Sequence, residues 1–135
     1  MSYPIEKIEG IGPSYAKKLQ KAGIRSTKAL LSKCGTPAGR KDVAKTCGID
    51  DGYILKWTNM ADLMRIRGVG EEYSELLEAA GVDTVKELKM RNADNLTAKM
   101  AEVNADKKLV RQLPALSKVK SWVEQAKSLE PAISY

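Results

Sequence analysis

Apolar positions along the chain recur at three- and four-residue spacing and never in long alternation, a pattern that predicts helices throughout and no strand. Ile5 and Ile8 form a short apolar face after Pro4, and Tyr15, Leu19 and Ala22 line one side of the next segment. Ala29, Leu30 and Leu31 open another apolar turn after "RST", where Ser26 or Thr27 suits a helix N-cap. "KCGTPAGRKD" reads as a loop by its glycines and proline, leaving Arg40 and Lys41 in a flexible segment placed either to reach a phosphate or simply to be solvated. "VAKTCGIDDGYILKW" reads as helix, turn, helix with Asp50 capping the second, and "NMADLMRI" leads onward. The closing "EPAISY" predicts a short disordered tail at residues 131–135.

The opening is written twice. "IEGIGPSYAKKLQKAGI", from Ile8 to Ile24, returns fifty-eight residues later as "IRGVGEEYSELLEAAGV", from Ile66 to Val82. At that offset Gly10, Gly12, Tyr15, Leu19, Ala22, Gly23, Ile24 and Leu30 face Gly68, Gly70, Tyr73, Leu77, Ala80, Gly81, Val82 and Leu88. At an offset of fifty-four, "VAKTCGID" from Val43 faces "TAKMAEVN" from Thr97, so the turn Gly48-Ile49 has Glu102-Val103 as its counterpart. The division is therefore residues 1–60 and 61–130, joined near 58–62. Units this small bury too little surface to stand alone, so the two pack together. Trp57 and Trp122, each late in its unit, are read as core residues.

In "GIGPSYAKKL" Gly10 and Gly12 flank Ile11 in a tight turn where positive φ or close backbone approach favours glycine, and Pro13 fits the first turn of the next helix. Ile11 anchors the turn inward. The helix then begins with open amides and no large side chain in front of them, an arrangement that suits a phosphate. Lys17 and Lys18 follow on the same helix and extend toward flanking phosphates. In the second copy Glu71, Glu72, Glu75, Glu78 and Asp83 surround the equivalent helix. Carboxylates in a first turn stabilise a helix through its dipole and repel an arriving phosphate.

Charge sharpens this difference. Residues 1–60 carry eleven Lys/Arg against five Asp/Glu, whereas residues 61–135 carry twelve of each, so the whole net charge of +6 belongs to the first half. A localised basic excess is the footprint of a nucleic-acid contact. Lys107, Lys108 and Arg111 fall on one or two turns of a helix, as a second phosphate contact or as solvated surface. Tyr15 and Tyr73 either pack between helices with the hydroxyl at the surface or stack on a sugar or base.

The chain has 135 residues, no histidine and two cysteines, Cys34 and Cys47, which together cannot assemble a zinc site and read as reduced, partly buried thiols in preference to a regulatory disulfide. With the commonest general base absent and no constellation of carboxylates, lysine and thiolate, an enzyme is not expected, nor a metal. No apolar run approaches the roughly 20 residues of a membrane span and no secretory signal is evident, which predicts a cytoplasmic protein without membrane attachment.

The spacing of Ile5, Ile8, Gly10, Ile11, Gly12, Ala16 and Leu19 resembles the helix-hairpin-helix motif. The continuation through "AGIRSTKALL" and "VAKTCGIDDGYILKW" is similar to the small helical N-terminal domain of RadA-type recombinases. The tandem whole resembles a domain-of-unknown-function family of repeated hairpins, over most of residues 4–130. The resemblance implies an all-α fold of two tandem helix-hairpin-helix units packed together. It also implies sequence-independent binding of a DNA or RNA backbone, duplex DNA above all, with a monovalent cation sometimes held by the hairpin carbonyls. The matching positions are Gly10, Gly12 and the amides of Ser14 and Tyr15, with Lys17 and Lys18 added on charge. Gly68 and Gly70 match more weakly, given their acidic surroundings. The competing function is a protein adaptor whose partner docks on residues 71–87, a stretch of five Glu, Asp83 and Lys86.

Overall fold

Side-chain caps set most of the helix starts in the computed structural model, which describes residues 2–135. A 3₁₀ turn at Ile5–Lys7 is followed by α1 (Pro13–Lys21), α2 (Thr27–Cys34), α3 (Pro37–Cys47), α4 (Asp51–Leu63), α5 (Glu71–Ala79), α6 (Val85–Leu88), α7 (Ala93–Lys107) and α8 (Leu116–Lys127). Among the described residues the one strand-like pairing is an isolated bridge between Pro4 and Ser26, so the fold is all-α. Ser26 Oγ accepts from the Ala29 amide at 3.1 Å, Thr36 Oγ1 from Gly39 at 3.1 Å and Asp50 Oδ2 from Gly52 at 2.9 Å. Thr84 Oγ1 accepts from Glu87 at 3.3 Å and Asn92 Oδ1 from Asn95 at 3.0 Å. Each bond satisfies a first-turn amide that the helix itself leaves unpaired. Helices α1 and α5 begin instead at Gly12 and Gly70, which offer no side-chain cap.

Four segments depart from the pattern read in the sequence. "KCGTPAGRKD" is not a loop: Thr36 caps and Pro37 opens α3. Gly39 marks a close approach there, because a Cβ would run into the Lys33 carbonyl of α2. Arg40, far from reaching a phosphate, is 7% exposed. It donates through Nη1 to the Cys34 carbonyl at 2.9 Å and through Nη2 to the Ser134 carbonyl at 2.7 Å. "EPAISY" is correspondingly docked rather than disordered. The Ser134 amide donates to the Gly35 carbonyl at 2.7 Å, and the Tyr135 hydroxyl to Asn59 Oδ1 at 2.8 Å. The tail orders because its polar groups find partners on the first half.

Glu102-Val103 is not a turn either, since both residues lie inside α7. The left-handed C-cap matching Gly48 (φ 64°) is Lys108 (φ 52°), at an offset of sixty rather than fifty-four. Lys107 therefore ends α7, Lys108 caps it and Arg111 lies in the loop beyond, so the three do not share a helix face.

Apolar side chains gather in two clusters. One collects Ile5, Ile8, Leu19, Leu30, Ile54, Trp57 and Met60; the other collects Leu63, Ile66, Leu76, Leu77, Leu88 and Trp122. Helix α4 runs unbroken through residues 58–62 and feeds both, so a rigid helix joins the halves. At its end buried Asp62 accepts from Arg65 Nε at 2.9 Å and from the Val85 amide at 2.9 Å, while Arg65 Nη2 donates to the Glu130 carbonyl at 2.9 Å. Both tryptophans are 2% exposed. The Trp57 indole nitrogen stands 3.3 Å from where a Cβ on Gly10 would lie, and that of Trp122 stands 3.1 Å from the same point at Gly68. Truncating a tryptophan so placed costs about 3–5 kcal/mol.

Candidate functional site

The start of α1 is assembled from a short run of chain. The Ile11 amide donates to the Ile8 carbonyl at 3.1 Å, closing the turn, and Ile11 is buried beneath it. Gly10 has φ 94° and requires glycine, whereas Gly12 has φ −84° with nothing within 4 Å of a Cβ, so neither strain nor crowding explains it. What Gly12 does is leave the helix end open. The Ala16 amide donates to the Gly12 carbonyl at 2.9 Å, and the amides of Ser14 and Tyr15 precede it in the first turn. No acidic residue occupies that turn; Lys17 follows it and Lys18 lies in the last turn of α1, both exposed. Gly10, Gly12, Ser14 and Tyr15 thus lie at the helix end whose dipole potential is positive, and Lys17 and Lys18 add positive charge farther along α1.

The second turn repeats the backbone without the chemistry. Gly68 has φ 96° and Gly70 is again an uncrowded N-cap. Glu71 and Glu72, however, occupy the first turn of α5 and are exposed. Gln125 also clamps the turn, accepting from the Arg67 amide at 2.8 Å and donating to the Arg67 carbonyl at 3.2 Å. Glu75 is drawn against the first half. Burial pushes its carboxyl above the usual value, repulsion from Glu9 adds to this, and Lys56 opposes it.

Aromatic packing distinguishes the two turns further. Tyr73 packs on Trp122 with centroids 5.3 Å apart and donates its hydroxyl to the Gln112 carbonyl at 3.0 Å. Tyr15 meets Trp57 edge-on at 5.0 Å and Tyr53 at 6.1 Å, and the Lys18 ammonium stands 5.9 Å from the centre of its ring. Tyr53 stacks on Trp57 at 5.9 Å and 17°, and is 51% exposed. The sequence reading missed Tyr53; its signal is the four-residue spacing to Trp57, which puts both on one face of α4.

Cys34 and Cys47 are free. Burial pushes the Cys34 thiol up to about 11 against the pull of Thr58 and Arg40, and burial also raises Cys47 against Lys18. Both remain thiols near neutrality, a poor state for a nucleophile. Among the described residues no group of three His, Cys, Asp or Glu could hold a metal ion, and no helix is long and apolar enough to cross a membrane. The first turn has a different donor set: the Ile8 and Gly12 carbonyls accept from the Ile11 and Ala16 amides, and those of Glu9, Gly10 and Ile11 lie between them. Such neutral oxygens fit a weakly held monovalent cation, not a divalent ion that draws carboxylates.

An all-helical chain with two glycine-opened helices is thus the class that fold and site define. The chain belongs to the family described as domain of unknown function (DUF4332), whose model matches residues 9–129. No solved structure matches it.

Proposed function

We propose that the chain is a non-enzymatic, cytoplasmic module that binds the backbone of nucleic acid, duplex DNA foremost, without reading sequence. On this reading its halves are helix-hairpin-helix units similar to the N-terminal domain of RadA-type recombinases, and only the first contacts the ligand. One observation carries it: α1 begins uncapped at Gly12 with no acidic residue in its first turn, whereas its repeat α5, also uncapped, carries Glu71 and Glu72 there. A serine or aspartate in place of Gly12 would be more favourable for the helix. Glycine leaves the Ser14 and Tyr15 amides for an anion, and Lys17 and Lys18 add charge that phosphate meets and carboxylate-lined α5 cannot supply. Amides and lysines position a phosphate but distinguish no base. The carbonyls of Glu9, Gly10 and Ile11 would hold a monovalent cation, which supplies further positive charge at the turn.

The test is fluorescence anisotropy of a labelled duplex across salt concentrations. Three to five phosphate contacts give a log-log slope of roughly −3 to −5. Absence of binding at about 50 mM salt contradicts the reading.

A second reading has support of its own. Met90 is 72% exposed and shares a groove of about 480 Å³ with Leu55, Asp83 and Glu87, a surface suited to an adaptor's protein partner at residues 71–87. It predicts that charge reversal at Asp83 and Glu87, which line the groove, weakens a partner's binding while reversal at Lys17 and Lys18 does not.

A further inference from the structure

Tyr53 is the exposed aromatic residue nearest the first glycine turn, and its placement follows from packing already described. It sits in the first turn of α4, as Tyr15 does in α1, and the two rings lie 6.1 Å apart. Trp57 fixes both, stacking under Tyr53 at 5.9 Å and meeting Tyr15 edge-on at 5.0 Å while itself only 2% exposed. The Tyr53 ring is therefore held by a buried partner with 51% of the residue still in solvent. The second half has no such surface. Four residues before Trp122 stands Lys118, and Tyr73 spends its hydroxyl on the Gln112 carbonyl. An exposed tyrosine packed on a half-buried one thus stands beside the basic, open turn.

We propose that Tyr53, with Tyr15, is a stacking platform for an unpaired base, so that the preferred ligand is nucleic acid with a single-stranded segment next to the phosphate held at the first turn. This rests on the phosphate-binding reading of that turn. A pre-ordered ring loses little conformational freedom on binding, every base offers it a π-face, and Lys18 and the α1 amides lie within reach of the same strand. Charge and aromatic surface together fit a nucleic-acid strand better than an apolar peptide, which has no use for the lysines.

The experiment compares a labelled blunt duplex with the same duplex carrying a short thymidine overhang, using wild type, Tyr53→Ala, Tyr53→Phe and the Lys17→Glu, Lys18→Glu double variant. Thermal melts confirm folding. Wild type and Tyr53→Phe should bind the overhang about five-fold or more tightly than the blunt duplex. Tyr53→Ala should bind the two alike, and the lysine variant should lose both. If wild type shows no preference while the lysine variant still loses the duplex, the platform is refuted and the turn stands. Equal weakening of both ligands by Tyr53→Ala makes the residue a structural support and also refutes the platform. Failure of wild type to bind either ligand overturns the turn and the platform together.

Discussion

Trp57 closes directly onto Gly10, its indole nitrogen 3.3 Å from the point a Cβ would occupy, and Trp122 repeats the contact at Gly68 with 3.1 Å. The first glycine of each turn thus answers to a positive φ and to the tryptophan beside it, and the second, Gly12 or Gly70, to an uncrowded helix N-cap. Two glycines separated by one residue, with different physical reasons, make separable predictions.

Gly10→Ala should destabilise the fold by about 1–3 kcal/mol, because φ 94° is strained for any residue with a Cβ and the indole lies in the way. Chemical denaturation followed by tryptophan fluorescence reads this directly. A loss well under 1 kcal/mol would mean that the turn relaxes freely.

Gly12→Asp should act the other way on stability. Its φ of −84° and ψ of −177° suit an N-cap, nothing crowds a side chain, and a carboxylate there pairs with first-turn amides and the helix dipole. Stability should be unchanged or rise by a few tenths of a kcal/mol or more. Duplex binding should nevertheless fall sharply, since the aspartate takes the amides and repels the phosphate. Unchanged binding would separate the open helix end from function.

Much of this was legible in the sequence because glycine, tyrosine and tryptophan carry positional information. The pairs Gly10 with Gly68 and Tyr15 with Tyr73 gave the register of the repeat, and Ser26 and Asp50 announced helix starts. Helix α3 was hidden because the residues that start it, Thr36 and Pro37, look like loop residues, and because Gly39 answers to the Lys33 carbonyl rather than to a turn. The docked tail was hidden for a different reason. Arg40 bonds backbone carbonyls of Cys34 and Ser134, and carbonyls leave no residue-type signature. The role of Gly12 needed the structure too, since composition cannot distinguish a glycine that strains from one that merely leaves space.

Arg40→Ala should cost about 2–3 kcal/mol, the scale of charged hydrogen bonds lost from a buried group. Deleting residues 131–135 should also destabilise, and the two changes should be less than additive because the Ser134 carbonyl is shared. Additivity in a double variant would show that Arg40 acts through Cys34 alone.

Glu75 sets a pH dependence. Burial first, then Glu9, raises its carboxyl pKa in the folded chain. A carboxyl raised on folding contributes stability below its unfolded pKa, and that contribution is lost as pH rises through the folded pKa. Glu75→Gln should therefore raise Tm near pH 7, and the gain should shrink toward pH 4 as the carboxyl takes up its proton. An equal gain at both pH values would assign the effect to packing instead.

The central claim is that the first turn, through its open amides and its lysines, holds a phosphate backbone. Its most direct test is the anisotropy of a labelled duplex at about 50 mM salt with wild type beside Lys17→Glu, Lys18→Glu. The account predicts saturable binding by wild type and its loss in the double variant, with melting temperature unchanged. Equal binding by the two proteins, or none by either, would contradict it.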